Sequence, residues 1–199
     1  ILAFLIAFFN QFSGINAVLY YAPRIFEETG LGKDASLFNS IILGITNLIF
    51  TYLGIILIDR IGRKKLMLIG SIGYIISLTI IALSIKSNPF GINTSIFIFS
   101  FIASHAVGQG TVIWVFISEI FPNSLRSKGQ AFGSSVHWVL AAVIPAFIPY
   151  LLNSIGSQII FFFFAFMMFI QLLFVIFIMP ETKGISIELL FKEIIESKK

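Results

Sequence analysis

The chain has 199 residues and a net charge of +4, and 58% of its residues are hydrophobic whereas only 11% are charged. Soluble domains carry about 25% charged residues, so these proportions exclude an ordinary water-soluble domain. The composition instead indicates a membrane protein with several apolar segments.

Six apolar stretches are long enough to cross a membrane as helices, which takes about 20 residues each. In chain order, the predicted transmembrane helices cover residues 1–25, 36–58, 65–85, 94–118, 129–152 and 157–179. The last two come from one uncharged run, residues 129–180, in which the turn-forming cluster 153–156 follows Pro149 and separates two crossings. These stretches predict an all-α bundle of six transmembrane helices.

The distribution of basic residues predicts how the helices are oriented. Ten of the thirteen Lys and Arg residues lie in loops 59–65 and 119–128 or in the tail after Pro180. Positively charged loops stay on the cytoplasmic side, so these loops and the C-terminus are expected in the cytoplasm. The expected location is the plasma membrane, which is the inner membrane in a bacterium. Because topology accounts for the positive charge, no nucleic acid partner is implied, and the absence of cysteine excludes thiolate metal sites.

The two ends of the chain carry further signals. The chain starts at Ile1 within an apolar run, which predicts that a preceding part is missing. Residues 186–199 predict an amphipathic helix on the cytoplasmic surface, because apolar residues recur there at helical spacing. They are Ile187, Leu190, Phe191, Ile194 and Ile195. The predicted domains are a six-helix bundle over residues 1–184 and a tail helix over residues 185–199.

The predicted helices contain neutral polar side chains but no Asp, Glu, Lys or Arg well inside them. The neutral set is Asn10, Gln11, Asn16, Asn47, Gln109, Trp114, His137 and Trp138. Amides both donate and accept hydrogen bonds, and an indole offers a flat apolar face, so this set suits a neutral ligand rich in hydroxyl groups. The alternative is that each of these side chains only joins neighbouring helices.

The first predicted helix also carries a signal of discontinuity. Ser13 and Gly14 lie at mid-membrane between the amides, and Pro23 follows. Discontinuous helices at the midplane are typical of transporter binding sites, because unwinding frees backbone groups for a ligand. Glycines are also common in membrane helices as close-packing points. A close-packing role of Gly14 is therefore the alternative to a discontinuous helix.

Five motifs stand in order along the chain. They are Asn10–Ala17 with Tyr20, Tyr21 and 23–26; Asp59–Lys64; Gly108–Trp114; 118–122 with Arg126; and Pro180–Gly184. Together they resemble the seventh helix, the loop between helices eight and nine, the tenth helix, the loop after it and the start of the C-terminal tail of the sugar porters of the major facilitator superfamily. That family has twelve helices in two halves, so the resemblance implies that this chain is the C-terminal half.

The resemblance also implies roles for individual residues. Those expected to contact the sugar are Asn10, Gln11, Asn16, Asn47, Trp114 and His137. An outer gate of Tyr20 and Tyr21 is expected to close over the sugar. A cytoplasmic latch is expected from the charged residues Asp59, Arg63, Lys64, Glu119 and Arg126, for which ordinary loop solvation is the alternative. The implied partners are a monosaccharide, an N-terminal six-helix half and the bilayer, with proton coupling left open and with neither cofactor nor metal.

Three positions depart from the family pattern. Asn10 stands where the family usually has glutamine, so its shorter amide needs a water to reach the same hydroxyl. His137 replaces an asparagine or glutamine, and a histidine can change charge near neutral pH. Thr111 follows Gly110 where many relatives have proline, which predicts a straighter fourth helix.

The function that the resemblance implies is transport of a hexose or pentose by alternating access. Two alternatives belong to other classes. A membrane-embedded enzyme would need convergent catalytic groups, yet only His105 and His137 could titrate within the predicted helices, and Glu119 lies at a helix end. The other alternative is a truncated or split-gene remnant that inserts into the membrane but does not transport alone.

Overall fold

The computed structural model describes residues 1–28, 30, 32–87 and 94–185 of the chain. Its helices are α1 (Leu2–Phe12), α2 (Ile15–Tyr20), α3 (Ala22–Glu28), α4 (Lys33–Ile61), α5 (Arg63–Ser87), α6 (Thr94–His105), a π-helical segment (Ala106–Gly110), α7 (Thr111–Glu119), α8 (Arg126–Ser154) and α9 (Ser157–Phe177). The predicted tail helix, residues 186–199, lies outside the described residues.

These helices form six membrane-spanning stretches, as predicted from the sequence. They are Leu2–Tyr20, Lys33–Ile61, Arg63–Ile85, Thr94–Glu119, Arg126–Ser154 and Ser157–Phe177. The predicted separation of the last two is confirmed, because α8 ends at Ser154 and α9 begins at Ser157. Pro149 lies inside α8 together with Pro145, so neither proline ends that helix.

The first span is broken at Ser13 and Gly14, between α1 and α2. These are the two residues that indicated a discontinuous helix in the sequence. Gly14 adopts a left-handed conformation with φ of 81°, which costs little for glycine because it has no Cβ. The Ser13 hydroxyl donates to the backbone carbonyl of Asn10 at 2.6 Å and thus satisfies one group at the end of α1. A Cβ at position 14 would overlap the Phe164 ring, so the break also lets α9 approach closely.

The fourth span is irregular one turn before its indole. Residues Ala106–Gly110 form a π-helical turn between α6 and α7, and the Thr111 hydroxyl donates to the Ala106 carbonyl at 2.7 Å. The sequence predicted a straighter fourth helix at Thr111, whereas the backbone immediately before Thr111 is π-helical. Such turns place residues i and i+5 next to each other and often occur at functional sites.

The helices differ in how much of their surface the bundle covers. About half of the residues in the most apolar part of α5 and of α9 are buried. In α4 and in α8 the buried share is only 17% each. Large apolar side chains such as Phe38, Leu48, Phe132 and Phe147 are exposed on these two helices. In a bilayer, lipid or another apolar surface can cover such faces without cost. The two less covered helices flank the site described next.

Candidate functional site

Gln11 is the centre of a hydrogen-bonded amide cluster next to the break in the first span. Its Nε2 donates to Asn10 Oδ1 at 2.9 Å, and its Oε1 accepts from Asn16 Nδ2 at 2.8 Å. The same Nε2 lies 3.1 Å from Nδ1 and 3.3 Å from Nε2 of His137. A neutral imidazole accepts through one of its two nitrogens, so His137 joins the network through whichever nitrogen is unprotonated. The cluster thereby links α1, α2 and α8.

These side chains face a cavity of about 320 Å³ between the spans. It is lined by Asn10, Gln11, Ile15, Asn16, Leu19, Asn47, Thr51, His105, Ala106, Gly110, Ile113, Trp114, His137 and Trp138. All six residues predicted to contact a sugar are in this set, although they come from four different spans. The volume lies within the range of about 300–1,000 Å³ that is common for small-molecule sites.

Aromatic rings form one wall of this cavity. The Trp114 ring packs edge-on against His137 with centroids 4.8 Å apart, and the Trp138 ring does the same at 5.0 Å. Trp114 is 40% and Trp138 62% exposed, so both keep open surface for a ligand. A cavity that combines amides with indoles can hydrogen-bond hydroxyl groups and pack against the C–H face of a ring.

Two polar residues that the sequence analysis did not assign to the site also line the cavity. Thr51 lies one helical turn beyond Asn47 in α4, and that spacing could have indicated it. His105 lies five residues before Gly110, a spacing that does not share a face in an α-helix. It lines the cavity because the π-helical turn brings residues 105 and 110 together.

Gln109 behaves differently from the other amides of the spans. It is fully buried, lines neither of the two polar cavities, and donates through Nε2 to Gln171 Oε1. Gln171 in turn donates to the Ser71 hydroxyl at 2.9 Å. This chain of bonds joins the π-helical segment to α9 and α5, so the interpretation as a link between helices holds for Gln109.

A second cavity, of about 530 Å³, extends from the first toward a cluster of charges. Thr51, Gly110 and Trp114 line both cavities, and the second one continues to Asp59 and Arg63. The two cavities therefore adjoin at these three residues. A solute that left the amide cluster in this direction would pass the Trp114 indole.

Arg63 is the centre of the charge cluster. Its guanidinium binds both carboxylate oxygens of Glu119, at 3.0 and 2.7 Å, and its Nη1 lies 3.1 Å from Asp59 Oδ1. Glu119 Oε2 also accepts from the Thr182 hydroxyl at 2.6 Å. Bidentate arginine–carboxylate pairs are among the strong hydrogen-bonded contacts in proteins, so this cluster ties together the ends of α4, α5 and α7 and the segment after α9.

Glu181 belongs to the same end of the bundle and was not predicted as a site residue. Its carboxylate accepts from the backbone N–H groups of Arg63 at 2.9 Å and Lys64 at 3.1 Å. These are the first two residues of α5, whose N–H groups have no partner within the helix. The carboxylate also accepts from the N–H groups of Thr182 and Lys183, at 3.0 Å each. Glu181 therefore caps α5 and folds the following segment onto it.

The other predicted latch and gate residues have different surroundings. Lys64 Nζ donates to the Ile176 carbonyl at 3.1 Å, and Arg126 forms no salt bridge with a described residue, its Nε lacking a partner. Tyr20 is 62% exposed. The Tyr21 hydroxyl donates to the Pro145 carbonyl at 3.2 Å. Neither tyrosine lines the amide cavity.

The chain matches a known family over nearly its whole length. The model of the family described as "Sugar (and other) transporter" matches residues 1–193. The arabinose-proton symporter of Bacillus subtilis is 38% identical over 189 residues, which are 94% of this chain and 41% of that protein. The glucose transporter GlcP of Staphylococcus epidermidis is also 38% identical, with 92% of this chain and 42% of that protein covered.

The fold matches solved structures as well. The inward open conformation of the xylose transporter XylE from Escherichia coli gives a TM-score of 0.84 at 31% identity. The superposition covers 96% of this chain and 41% of that one. The chain thus spans about two fifths of the length of the relatives that it matches.

Proposed function

Because the chain belongs to the sugar (and other) transporter family, we propose that it forms one six-helix half of a monosaccharide carrier that works by alternating access. It is a multi-pass membrane protein of a transporter family, not an enzyme. In this proposal the chain is the C-terminal half, and a second six-helix half covers the open side of the amide cavity. The substrate is a hexose or pentose, the class to which the arabinose, glucose and xylose named for its relatives belong.

One observation carries the proposal: the amide cluster and two indoles converge on one cavity from separate spans. Buried polar groups are costly in hydrocarbon unless they are paired, so a cavity lined by several amides is expected to have a polar ligand. The described residues that line the cavity include no Asp, Glu, Lys or Arg, which favours a neutral ligand. The combination of hydrogen-bonding groups and aromatic faces favours a sugar among neutral ligands.

The charge cluster supports the alternating-access part of the proposal. Arg63, Asp59 and Glu119 are the members of the predicted latch that the structure joins. Glu181 and Thr182 extend it. We assign this cluster to the cytoplasmic end, where it holds that side closed and must break once in each cycle.

Proton coupling is the part of the proposal that the residues of this chain support least. The relative from Bacillus subtilis is named a proton symporter. Among the described spans, however, Asp and Glu occur only near helix ends, at positions 34, 59 and 119. If the complete carrier is a symporter, we expect its membrane-embedded proton acceptor in the second half.

The first test is sugar binding by the purified chain. Both tryptophans of the chain, Trp114 and Trp138, line the cavity, so intrinsic fluorescence reports on its occupancy. We expect saturable changes with L-arabinose, D-xylose or D-glucose and none with an equal concentration of the acyclic alcohol sorbitol. Identical responses to sorbitol and to the sugars would contradict a sugar site.

The second test is transport. The chain is reconstituted in liposomes alone and together with the N-terminal six-helix part of the arabinose-proton symporter of Bacillus subtilis, and uptake of the radiolabelled sugars is measured. We expect saturable uptake only from the pair, because the chain alone has nothing opposite its cavity. Saturable uptake by the lone chain would contradict the half-carrier proposal and indicate a homodimeric carrier.

A further inference from the structure

His105 occupies an unusual position in the cavity wall. It is the last residue of α6, near the middle of the fourth span, and it is 8% exposed. It lines the amide cavity together with Gly110 and Trp114. None of the functions proposed above uses this imidazole.

The Tyr74 hydroxyl holds one nitrogen of this ring. Tyr74 is fully buried in α5, and its hydroxyl lies 3.2 Å from His105 Nδ1. A phenol hydroxyl is a better hydrogen-bond donor than a neutral imidazole N–H, and an unprotonated imidazole nitrogen is a good acceptor, so donation from Tyr74 to Nδ1 is the favoured direction.

Donation in this direction would set the tautomer of His105. A neutral imidazole that accepts at Nδ1 carries its proton at Nε2. The Nε2–Cδ2 edge lies over Gly110, where a Cβ would be only 3.4 Å from Nε2 and 3.3 Å from Cδ2. Gly110 lines both the amide cavity and the cavity that leads to Arg63. With the Tyr74 proton donated to Nδ1, an N–H donor lies where the two cavities adjoin.

We propose that the Nε2–H of His105 donates a hydrogen bond to a sugar hydroxyl, and that Tyr74 is the positioning residue that fixes this donor. The inference rests on the proposed function, because it requires that the cavity bind a sugar. Gln11 and Asn16 approach the cavity from the first span, whereas His105 approaches from the fourth. His105 thus adds a recognition point on a different wall and contributes to the choice among sugars that differ in one hydroxyl group.

The tautomer can be measured without any sugar. The full chain is labelled with ¹⁵N-histidine, and the ring signals are assigned with His137→Gln, since His105 and His137 are the two histidines of the chain. We expect His105 to be protonated at Nε2 in the wild type and to become a mixture of tautomers in Tyr74→Phe. A wild-type His105 protonated at Nδ1 would overturn the inference whatever the sugar measurements show.

The donor role is tested by Trp fluorescence titration with D-glucose and D-xylose. The matched variants are His105→Gln, whose amide nitrogen reaches about as far as Nε2, and His105→Asn, whose amide nitrogen stays nearer the Nδ1 position. Loss of a buried hydrogen bond should weaken affinity about tenfold in His105→Asn and in His105→Phe. We expect His105→Gln to remain within about threefold of the wild type.

Sugar analogues identify the contact. Each monodeoxy-glucose is titrated into the wild type and into His105→Asn. The analogue that lacks the hydroxyl bound by His105 should bind both proteins with equal affinity, while the other analogues keep the difference.

The possible results separate the two proposals. Wild-type sugar affinity in His105→Asn and His105→Phe would overturn the role of His105 and leave the sugar site standing. Equal loss in His105→Gln and His105→Asn, with all analogues still discriminating the variant from the wild type, would show a packing role and also overturn it. Absence of saturable sugar binding by the wild type, both alone and paired with the N-terminal six-helix part of the arabinose-proton symporter, would overturn the proposed function and this inference together.

Discussion

At the scale of single residues, we expect the loss of Gln11 to affect the site most, because three other side chains form hydrogen bonds with it. Its amide binds Asn10, Asn16 and His137. We expect Gln11→Ala to weaken sugar affinity more than tenfold, since an unpaired buried polar group costs about 1–3 kcal/mol and this substitution leaves several unpaired. Asn16→Ala, which removes one bond to Gln11, should weaken affinity less. Fluorescence titration with D-glucose measures both dissociation constants.

The matched control for these variants is Asn39→Ala. Asn39 is also an amide in a spanning helix, but it donates to the Ala35 carbonyl of its own helix and does not line the amide cavity. Its removal should leave sugar affinity unchanged. Unchanged affinity in Gln11→Ala at wild-type expression would mean that the cluster only holds helices together.

At the scale of elements, the break in the first span places the amides. We expect Gly14→Ala to lower the free energy of unfolding of the detergent-purified chain by at least about 1–2 kcal/mol, the cost of a left-handed backbone for a residue with a Cβ. The overlap of the new Cβ with the Phe164 ring adds to this cost. Chemical denaturation followed by circular dichroism measures the change.

Two other glycines separate these contributions. Gly156 also has a positive φ, of 82°, although its ψ of 154° differs from the 11° of Gly14. No atom lies within 4 Å of a Cβ there, so Gly156→Ala should show a backbone cost without any overlap. Gly44 is helical and equally open, so Gly44→Ala should not destabilise the chain. If Gly14→Ala lost no more than the backbone cost of about 1–2 kcal/mol, the close approach of Phe164 would contribute nothing.

At the scale of the whole molecule, the charge cluster indicates which loops share a side of the membrane. Asp59, Arg63, Glu119 and Glu181 meet at one end. At the other end of the spans, Arg24 binds Asn153. Because the loops around the cluster hold most of the basic residues, we assign that end to the cytoplasm.

This orientation is testable because the chain has no cysteine. Ser127→Cys and Ser154→Cys introduce exposed thiols near opposite ends of α8. In intact cells, an impermeant thiol reagent should label the cysteine at 154 and should label that at 127 only after permeabilisation. Labelling of position 127 from outside, with position 154 protected, would invert the topology.

Much of the fold was predictable because the bilayer imposes a local rule. A span needs about 20 apolar residues whatever surrounds it, so length and charge were sufficient for most of the helices. The turn-forming cluster 153–156 was needed to separate the last two. The motif resemblance placed the predicted sugar contacts, and all six line one cavity. Helix ends differed by a few residues, since α4 and α8 continue into sequence that contains charges.

The sequence by itself therefore determined the membrane class, the number of spans, the family resemblance and the polar residues available for a site. Only the tertiary structure decided which of them meet. It joined Gln11 to His137 across 126 positions, assigned Gln109 to a link between helices, and brought His105 into the cavity through a π-helical turn. It also directed Glu181 to the start of α5. The physical reason is that spans follow from local transfer free energy, whereas hydrogen-bond partners depend on how separate helices pack.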